Sequence, residues 1–365
     1  MKEYILFSPY KMGSIALSNR IVMAPMTRCR AIDNIPTPSM ETYYSQRATA
    51  GLIITEGTAP SANGLGYARI PGIFSTEQMF AWKKIVDSVH DEGSKIFLQI
   101  MHTGRISHPL NMPENSIIFA PSAVKAKGQM WTDQKGMQDY MIPMEMSISD
   151  ISNSITEFVI AAENAMLAGF DGVEIHGANG YLVEQFLSPE TNLRSDNYGG
   201  GFENRCRYLL ELVEAVAAGV GRDRVGIRLS PFGTANDMPV YDEIESTYEY
   251  LAKQLNKLAI AYIHLVDHSS MGTPVVPQHL TNVIRHHFKK TVILSGGYTK
   301  EKAEVDLLKK EGDLVAFAKL FINIPDLVDR FKNNLPLSDN LATDLFYTNG
   351  EEGYTDYPAY KHELV

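Results

Sequence analysis

The sequence has almost no cysteine: Cys29 and Cys206 are the only two among 365 residues. Two thiols can build neither a disulfide framework nor a four-thiolate metal site within one chain, and they suit a reducing compartment. No metal site is read from the sequence. No apolar stretch approaches the roughly 18 residues needed to cross a bilayer. The N-terminal run Met-Lys-Glu-Tyr-Ile-Leu-Phe-Ser-Pro breaks off before the apolar core of a signal peptide could form. A cytoplasmic protein is expected. Positive charge is also scarce: 33 basic against 43 acidic residues leave a net charge of −10, with no basic run to offset it. That balance disfavours nucleic acid or an anionic membrane as the main partner. Internal repeats and linkers are missing too, so a single domain over residues 1–365 is expected.

What is present is an alternation of short apolar runs and longer amphipathic stretches. Strands are expected at 21–24, 52–56, 95–101, 172–176, 225–229, 262–266, 291–295 and 314–318. Helices are expected at 38–50, 77–92, 151–168, 202–218, 245–257, 278–288, 300–309 and 325–333. Ser75, three residues before Gln78, has the spacing of a capping box; Ser149 precedes Asp150 and an apolar-periodic run; Pro325 suits a first helical turn. The strands read as continuous apolar runs, as when both faces of a parallel sheet are buried. Eight β-then-α units predict a closed (β/α)8 TIM barrel. A doubly wound open sheet is the competing arrangement, weakened because no Gly-rich dinucleotide turn follows the first strand. Residues 102–148, with their prolines and a Met-rich patch (Met137, Met141, Met144, Met146), form a long excursion between strand 3 and helix 3 that is read as a cap on the barrel.

In such a barrel, ligands meet the C-terminal ends of the strands, and the unusual residues of this sequence fall there. Pro25, Met26 and Thr27 follow strand 1, Gly57 follows strand 2, Gln99 and Met101 end strand 3, and Arg228 ends strand 5. Gly296-Gly297 follows strand 7, and Ala318-Lys319 follows strand 8. Backbone N–H groups at the glycine pair, a helix start behind them and the Lys319 charge suit a phosphate. Arg228 would steady negative charge on a bound ring, whose edge Thr27 and Gln99 could meet. His176-x-x-Asn179-x-Tyr181 is the sharpest constellation. In a helical turn, His176 and Asn179 would share a face and polarise one carbonyl, with Tyr181 placed to donate a proton. The alternative is structural: Asn179 caps a helix and Tyr181 packs. His102 and His264, taken singly, read as hydrogen-bonded structural histidines.

Whole words of sequence then carry a resemblance. Asn19-Arg20-Ile21-Val22-Met23-Ala24-Pro25-Met26-Thr27-Arg28, His102-Thr103-Gly104-Arg105, and Glu174-Ile175-His176-Gly177-Ala178-Asn179-Gly180-Tyr181-Leu182 resemble the Old Yellow Enzyme family of FMN-dependent ene-reductases. So do Asn197-Tyr198-Gly199-Gly200 with Glu203-Asn204-Arg205, then Ile227-Arg228-Leu229-Ser230-Pro231, and Gly353-Tyr354-Thr355-Asp356-Tyr357-Pro358. The match runs in order from Phe7 to Pro358. It implies a non-covalent FMN whose ring system meets Pro25, Met26, Thr27, Gly57, Gln99 and Arg228, and whose phosphate meets Gly296, Gly297, Ala318 and Lys319. NADPH or NADH would reduce the flavin. An α,β-unsaturated carbonyl or nitro compound would then be held by His176 and Asn179, receive hydride at its β-carbon and a proton from Tyr181 at its α-carbon. Phenol-like ligands would bind in the same place. Tyr67, Met101, Asn236 and Tyr347 match positions lining the substrate pocket, and Cys29 is read as structural.

The chain departs from the family pattern at three places. Ala318-Lys319 stands where Gly-Arg is usual, so a bidentate phosphate contact is lost. Met101 stands where tryptophan is common, implying a larger and softer pocket. Ala235 replaces an aromatic before Asn236, with the same implication. The longer dienoyl-thioester reductases of the family are excluded by length and by the want of four cysteines. Two other readings compete: a flavin-independent barrel lyase or isomerase for a phosphorylated molecule, and a flavin-binding protein without turnover. The first lacks a lysine inside the barrel; the second is hard to square with an intact His176, Asn179 and Tyr181. The protein is read as a monomer or homodimer.

Overall fold

The structure is a computed structural model describing residues 4–360. Eight parallel strands close into a barrel: β1 (Ile21–Met23), β2 (Leu52–Ile54), β3 (Lys95–Ile100), β4 (Gly172–Gly177), β5 (Val225–Leu229), β6 (Tyr262–Val266), β7 (Thr291–Ser295) and β8 (Leu314–Phe317). Closure is made by β8 on β1, with Val315 opposite Ile21 and Phe317 opposite Met23. The open doubly wound sheet is thereby excluded. Around the barrel run α1 (Pro38–Ser45), α2 (Thr76–Asp91), α3 (Ile148–Leu167), α4 (Phe202–Val220), α5 (Ile244–Leu258), α6 (Gln278–His287), α7 (Lys300–Leu308) and α8 (Leu327–Asn333).

Strand alternation sorts the apolar residues into two cores. Val22, Leu52, Ile54, Phe97, Tyr262, Ile293, Leu314 and Ala316 pack inside the barrel, joined by Met12 and Leu17. Those last two come from an N-terminal hairpin, Tyr10–Met12 against Ile15–Leu17, that closes the end away from the strand C-termini. Their strand neighbours Ile21, Met23, Ile53, Ile96, Leu98, Ile263, Val292 and Val315 face the helices. Both faces of the strands are buried, which is why the strands read as largely apolar runs.

The capping box at α2 is present: Ser75 Oγ accepts from Gln78 N at 3.2 Å, and Gln78 Oε1 accepts from Ser75 N at 3.1 Å. At α3 the cap is Ser147 rather than Ser149. Asp150 closes the box from three residues on, accepting from Ser147 N at 2.8 Å. Pro325 does not open a helix: a five-residue helix, Lys319–Asn323, follows β8, and α8 starts two residues beyond the proline. Between β3 and α3 the excursion carries an antiparallel hairpin, Gln129–Thr132 with Gly136–Asp139, and a short parallel pair, Phe119–Ala120 with Met144–Glu145. Met130, Tyr140 and Ala126 of this excursion pack in one cluster with Met101 and Tyr181. No helix among the described residues is long and apolar enough to cross a membrane.

Candidate active site

Polar residues interrupt the barrel interior on four adjacent strands. Gln99 (β3), Glu174 and His176 (β4), Arg228 (β5) and His264 (β6) occupy inward positions and are all buried. Cross-strand register sets Glu174 beside Gln99 and His176 beside Arg228, which in turn faces His264. Gln99 Nε2 donates to Glu174 Oε1 at 2.8 Å, and His264 Nδ1 meets Glu174 Oε2 at 2.9 Å, so both carboxylate oxygens are satisfied. Gln99 is therefore half committed to the barrel, with its oxygen and its second N–H left for a ring edge. Arg228 differs: its Nε is buried with no hydrogen-bond partner among the described residues. Burial pulls its guanidinium below its usual value, opposed by the Glu174 charge, yet an arginine stays cationic. A buried cation with an unmet donor needs an electron-rich ligand.

Arg228 lines a cavity of about 710 Å³ that runs from the mouth across β6, β7 and β8. Gly296, Gly297, Ala318 and Lys319 line its far end. Gly296 has φ +126°, and a β-carbon there would collide with the Asp267 carbonyl oxygen. The loop is thus pressed against β6, a close approach only glycine permits. The glycine pair does not itself open α7, which begins three residues later, where Thr299 Oγ accepts from Lys302 N. Lys300 and Arg330 also line the cavity but are engaged: Lys300 Nζ with Phe331 O at 2.5 Å, Arg330 Nε with Asp326 Oδ1 at 2.8 Å. Exposed Lys319 is the remaining cation for an anionic group. A buried unmet guanidinium at one end and a glycine loop with a lysine at the other fit FMN, as ring system and phosphate respectively.

Pro25, Met26, Thr27, Gly57 and Gln99 stand on the ends of β1 to β3 rather than in the wall of this cavity. Met26 and Thr27 are half-buried within an otherwise buried stretch. A β-carbon on Gly57 would lie 2.5 Å from the Met101 sulfur. Met101 is 1% exposed; its thioether folds over Gly57.

The turn after β4 holds the remaining residues. It is not a helical turn, contrary to the sequence reading. Asn179 (φ +59°) and Gly180 (φ +77°) are the central residues of a tight turn closed from Tyr181 N to Ala178 O at 3.4 Å. Asn-Gly is the favoured pair for two successive positive φ values. The helix, Leu182–Leu187, begins only after Tyr181, and Asn179 does not cap it. Three partners fix the turn. Asn179 N donates to Ser230 Oγ at 2.9 Å, Gly180 N to Glu184 Oε2 at 2.5 Å, and Asn236 Nδ2 to Asn179 O at 2.8 Å. Ser230 Oγ in turn donates to Glu184 Oε1 at 2.7 Å. Asn236, expected in the substrate pocket, thus also braces this turn.

His176 Nδ1 accepts from Ala178 N at 3.3 Å, which assigns the proton to Nε2. Burial, with Arg228 nearby, holds the imidazole well below its usual pKa. It is a neutral donor. The Tyr181 ring stands edge-on to His176 at 4.9 Å, and its hydroxyl lies 3.0 Å from that of Tyr67. Burial pushes the Tyr181 phenol up to about 12, so it keeps its proton at neutral pH. Tyr347 is exposed, at 61%. It is carried to the mouth by the C-terminal segment: Arg28 donates to Gly353 O at 2.7 Å and Phe346 O at 3.1 Å, and Arg30 to Leu345 O and Glu352 O. Cys29, between them, is buried, and desolvation raises its thiol to about 12; such a thiol is unreactive. His102 is buried, with Nδ1 accepting from Gly104 N at 3.1 Å.

Three features went unread in the sequence. The Glu174–His264 pair, the Glu184–Ser230 brace and a contact of His268 Nε2 with Asn179 Oδ1 at 2.7 Å join residues far apart in the chain. Only the inward-facing Glu174 and His264 on apolar strands left a trace in the pattern.

A closed barrel with a cavity at its mouth, a buried unpaired arginine and a neutral His/Asn/Tyr cluster defines a flavin-dependent oxidoreductase. The sequence profile of the NADH:flavin oxidoreductase / NADH oxidase family matches residues 5–338. The chain is 41% identical over 356 residues to "Putative 12-oxophytodienoate reductase 11" of Oryza sativa subsp. japonica, covering 97% of each. It is 40% identical to "12-oxophytodienoate reductase 2" of Arabidopsis thaliana, covering 97% of this chain and 95% of that one. Among solved structures, morphinone reductase in complex with tetrahydroNAD superposes with a TM-score of 0.93 at 39% identity, covering 99% of each chain. The chain belongs to this family, the Old Yellow Enzymes, and is an FMN-dependent, NAD(P)H-using ene-reductase. That removes the flavin-independent and turnover-free readings.

Proposed function

We propose that this enzyme reduces the C=C bond of α,β-unsaturated carbonyl or nitro compounds, with His176 and Asn179 holding the substrate oxygen and Tyr181 supplying the proton. FMN, when bound, supplies the hydride, taken from NADPH or NADH and delivered to the β-carbon. The protein's residues do the rest. His176 Nε2–H and the Asn179 amide donate to the substrate oxygen, drawing electron density from the alkene and steadying the charge that gathers there. Tyr181, protonated and buried beside His176, gives its proton to the α-carbon. Arg228 holds a fixed positive charge beneath the reacting centre, and Lys319 with the Gly296–Gly297 loop anchors the phosphate. Tyr67 and Tyr347 bound the substrate side, and residues 102–148 cap the barrel within one domain. Phenol-like ligands, which present an oxygen to the same donors, bind in the substrate's place. A cytoplasmic setting is supported by two free, buried cysteines.

The observation that carries this reading is the pairing of a neutral imidazole, its Nδ1 consumed by Ala178 N, with an edge-on protonated phenol. Relatives bearing the name reductase support the substrate class. The test is anaerobic: the enzyme is bleached with NADPH, then mixed with 2-cyclohexenone. Return of the oxidised flavin spectrum with one equivalent of saturated ketone is expected; return without saturated product would overturn the proposal.

A further inference from the structure

We infer that His268, in the loop after β6, is a positioning residue that fixes the side-chain amide of Asn179 with its N–H groups toward the substrate oxygen. The inference rests on the proposed role of Asn179. A primary amide is nearly symmetric in shape but opposite in chemistry at its two ends. Turned one way it offers donors to a substrate oxygen; turned the other it offers a carbonyl that repels it. The backbone of Asn179 is already pinned on both sides, its N–H by Ser230 Oγ and its carbonyl by Asn236 Nδ2. That leaves the rotation of the amide itself.

His268 is the group that settles this rotation. Its Nε2 lies 2.7 Å from Asn179 Oδ1. The interaction assigns the proton to Nε2, because an amide oxygen is only an acceptor. With Oδ1 occupied, Nδ2 is the end left for the substrate. His268 lines the same cavity as Arg228, and burial together with that neighbouring cation lowers its pKa to about 4. It is therefore neutral at working pH. Such an imidazole is a donor through one nitrogen only, and that nitrogen is spent on Asn179. Two histidines thus frame the site with different tasks: His176 donates outward, His268 donates to the asparagine beside it.

The probe is 4-hydroxybenzaldehyde, whose phenolate oxygen stands in for the substrate's. Its binding to the oxidised holoenzyme is read from the change in visible flavin absorbance, without turnover. H268L should weaken binding at least about tenfold, the factor expected when one hydrogen bond to a charged oxygen is lost. H268Q, whose amide N–H can reach Oδ1, should restore most of the affinity, while the shorter H268N should not. If H268L releases its flavin, the contrast between Gln and Asn decides the matter alone. The double variant N179A/H268L should bind as N179A does, because His268 acts through Asn179. Fully additive losses would mean that His268 touches the ligand itself and overturn the inference, as would an unchanged affinity in H268L. If N179A alone leaves phenol binding intact, the proposed role of Asn179 fails first, and that outcome is separable from a failure of His268.

Discussion

Replacing Tyr181 by phenylalanine removes one oxygen and little else, so its consequences can be apportioned. The hydroxyl lies 3.0 Å from that of Tyr67 and also meets the Asn236 side chain. Losing these contacts costs about 1 kcal/mol of stability each. The ring itself stays packed against His176 and the Met101 cluster. A loss of that size lowers thermal stability slightly and cannot slow a chemical step a hundredfold, which requires about 2.7 kcal/mol in the barrier. Removing a general acid, by contrast, slows its step by about 10²–10⁴-fold. The two half-reactions separate these effects in a stopped-flow experiment. Reduction of the flavin by NADPH needs no proton at the substrate's α-carbon, and Y181F should leave its rate within about threefold. Reoxidation by 2-cyclohexenone should fall by the full general-acid factor. In the parent enzyme, a phenol raised to about 12 stays protonated, so reoxidation should show no Tyr181 titration between pH 6 and 9. Equal losses in both half-reactions would mean that Tyr181 shapes the pocket rather than supplying a proton.

Lys319 offers a point charge where a planar fork would bind phosphate through two bonds. K319R should tighten FMN and K319A weaken it, each by several-fold in a fluorescence titration of the apoprotein; equal affinities would remove Lys319 from the phosphate site. Glu184 is buried, and desolvation raises its carboxyl to about 7 against donors from Gly180, Ser230 and Tyr248. A raised carboxyl favours the protonated folded state. Its contribution to stability is therefore full below pH 4.5 and is lost as pH climbs to 7, by roughly 3 kcal/mol at most. E184Q should flatten that part of the stability–pH curve in chemical unfolding of the holoenzyme; an unaltered slope would place the titration elsewhere.

The barrel was legible because its strands are buried on both faces, and an apolar run of five such as residues 314–318 admits few other readings. Helix ends were legible where the signal is local and complete, as at Ser75 and Gln78. They were misplaced where two signals overlap: Ser147 and Ser149 both precede Asp150, but only Ser147 has the three-residue spacing that lets the carboxylate reach back. The rim residues could be named from strand ends alone. Their geometry could not. The Asn179-Gly180 pair carried a turn signal that the helical reading set aside, and the turn, by sending Asn179 into positive φ, is what brings its amide toward His268.

Charge is distributed through this site so that each donor keeps the proton its task requires. Arg228 places a permanent cation in the polar layer of β3 to β6, and burial, reinforced by its field, depresses both His176 and His268. A protonated His176 would donate more strongly, but it would also hold a positive charge in a buried pocket beside a guanidinium, at a cost that burial makes prohibitive. Burial does most to keep His176 neutral, and the Arg228 field adds to it. Glu174 completes the arrangement from below: its charge offsets Arg228, and its two oxygens meet Gln99 and His264. An R228M variant should therefore do more than lose flavin affinity: it should remove the second of the two causes that depress His176, so that ligand binding acquires a pH dependence on the acid side that the parent enzyme lacks. A parent-like flat profile in R228M, with flavin still bound, would show that burial alone keeps His176 neutral.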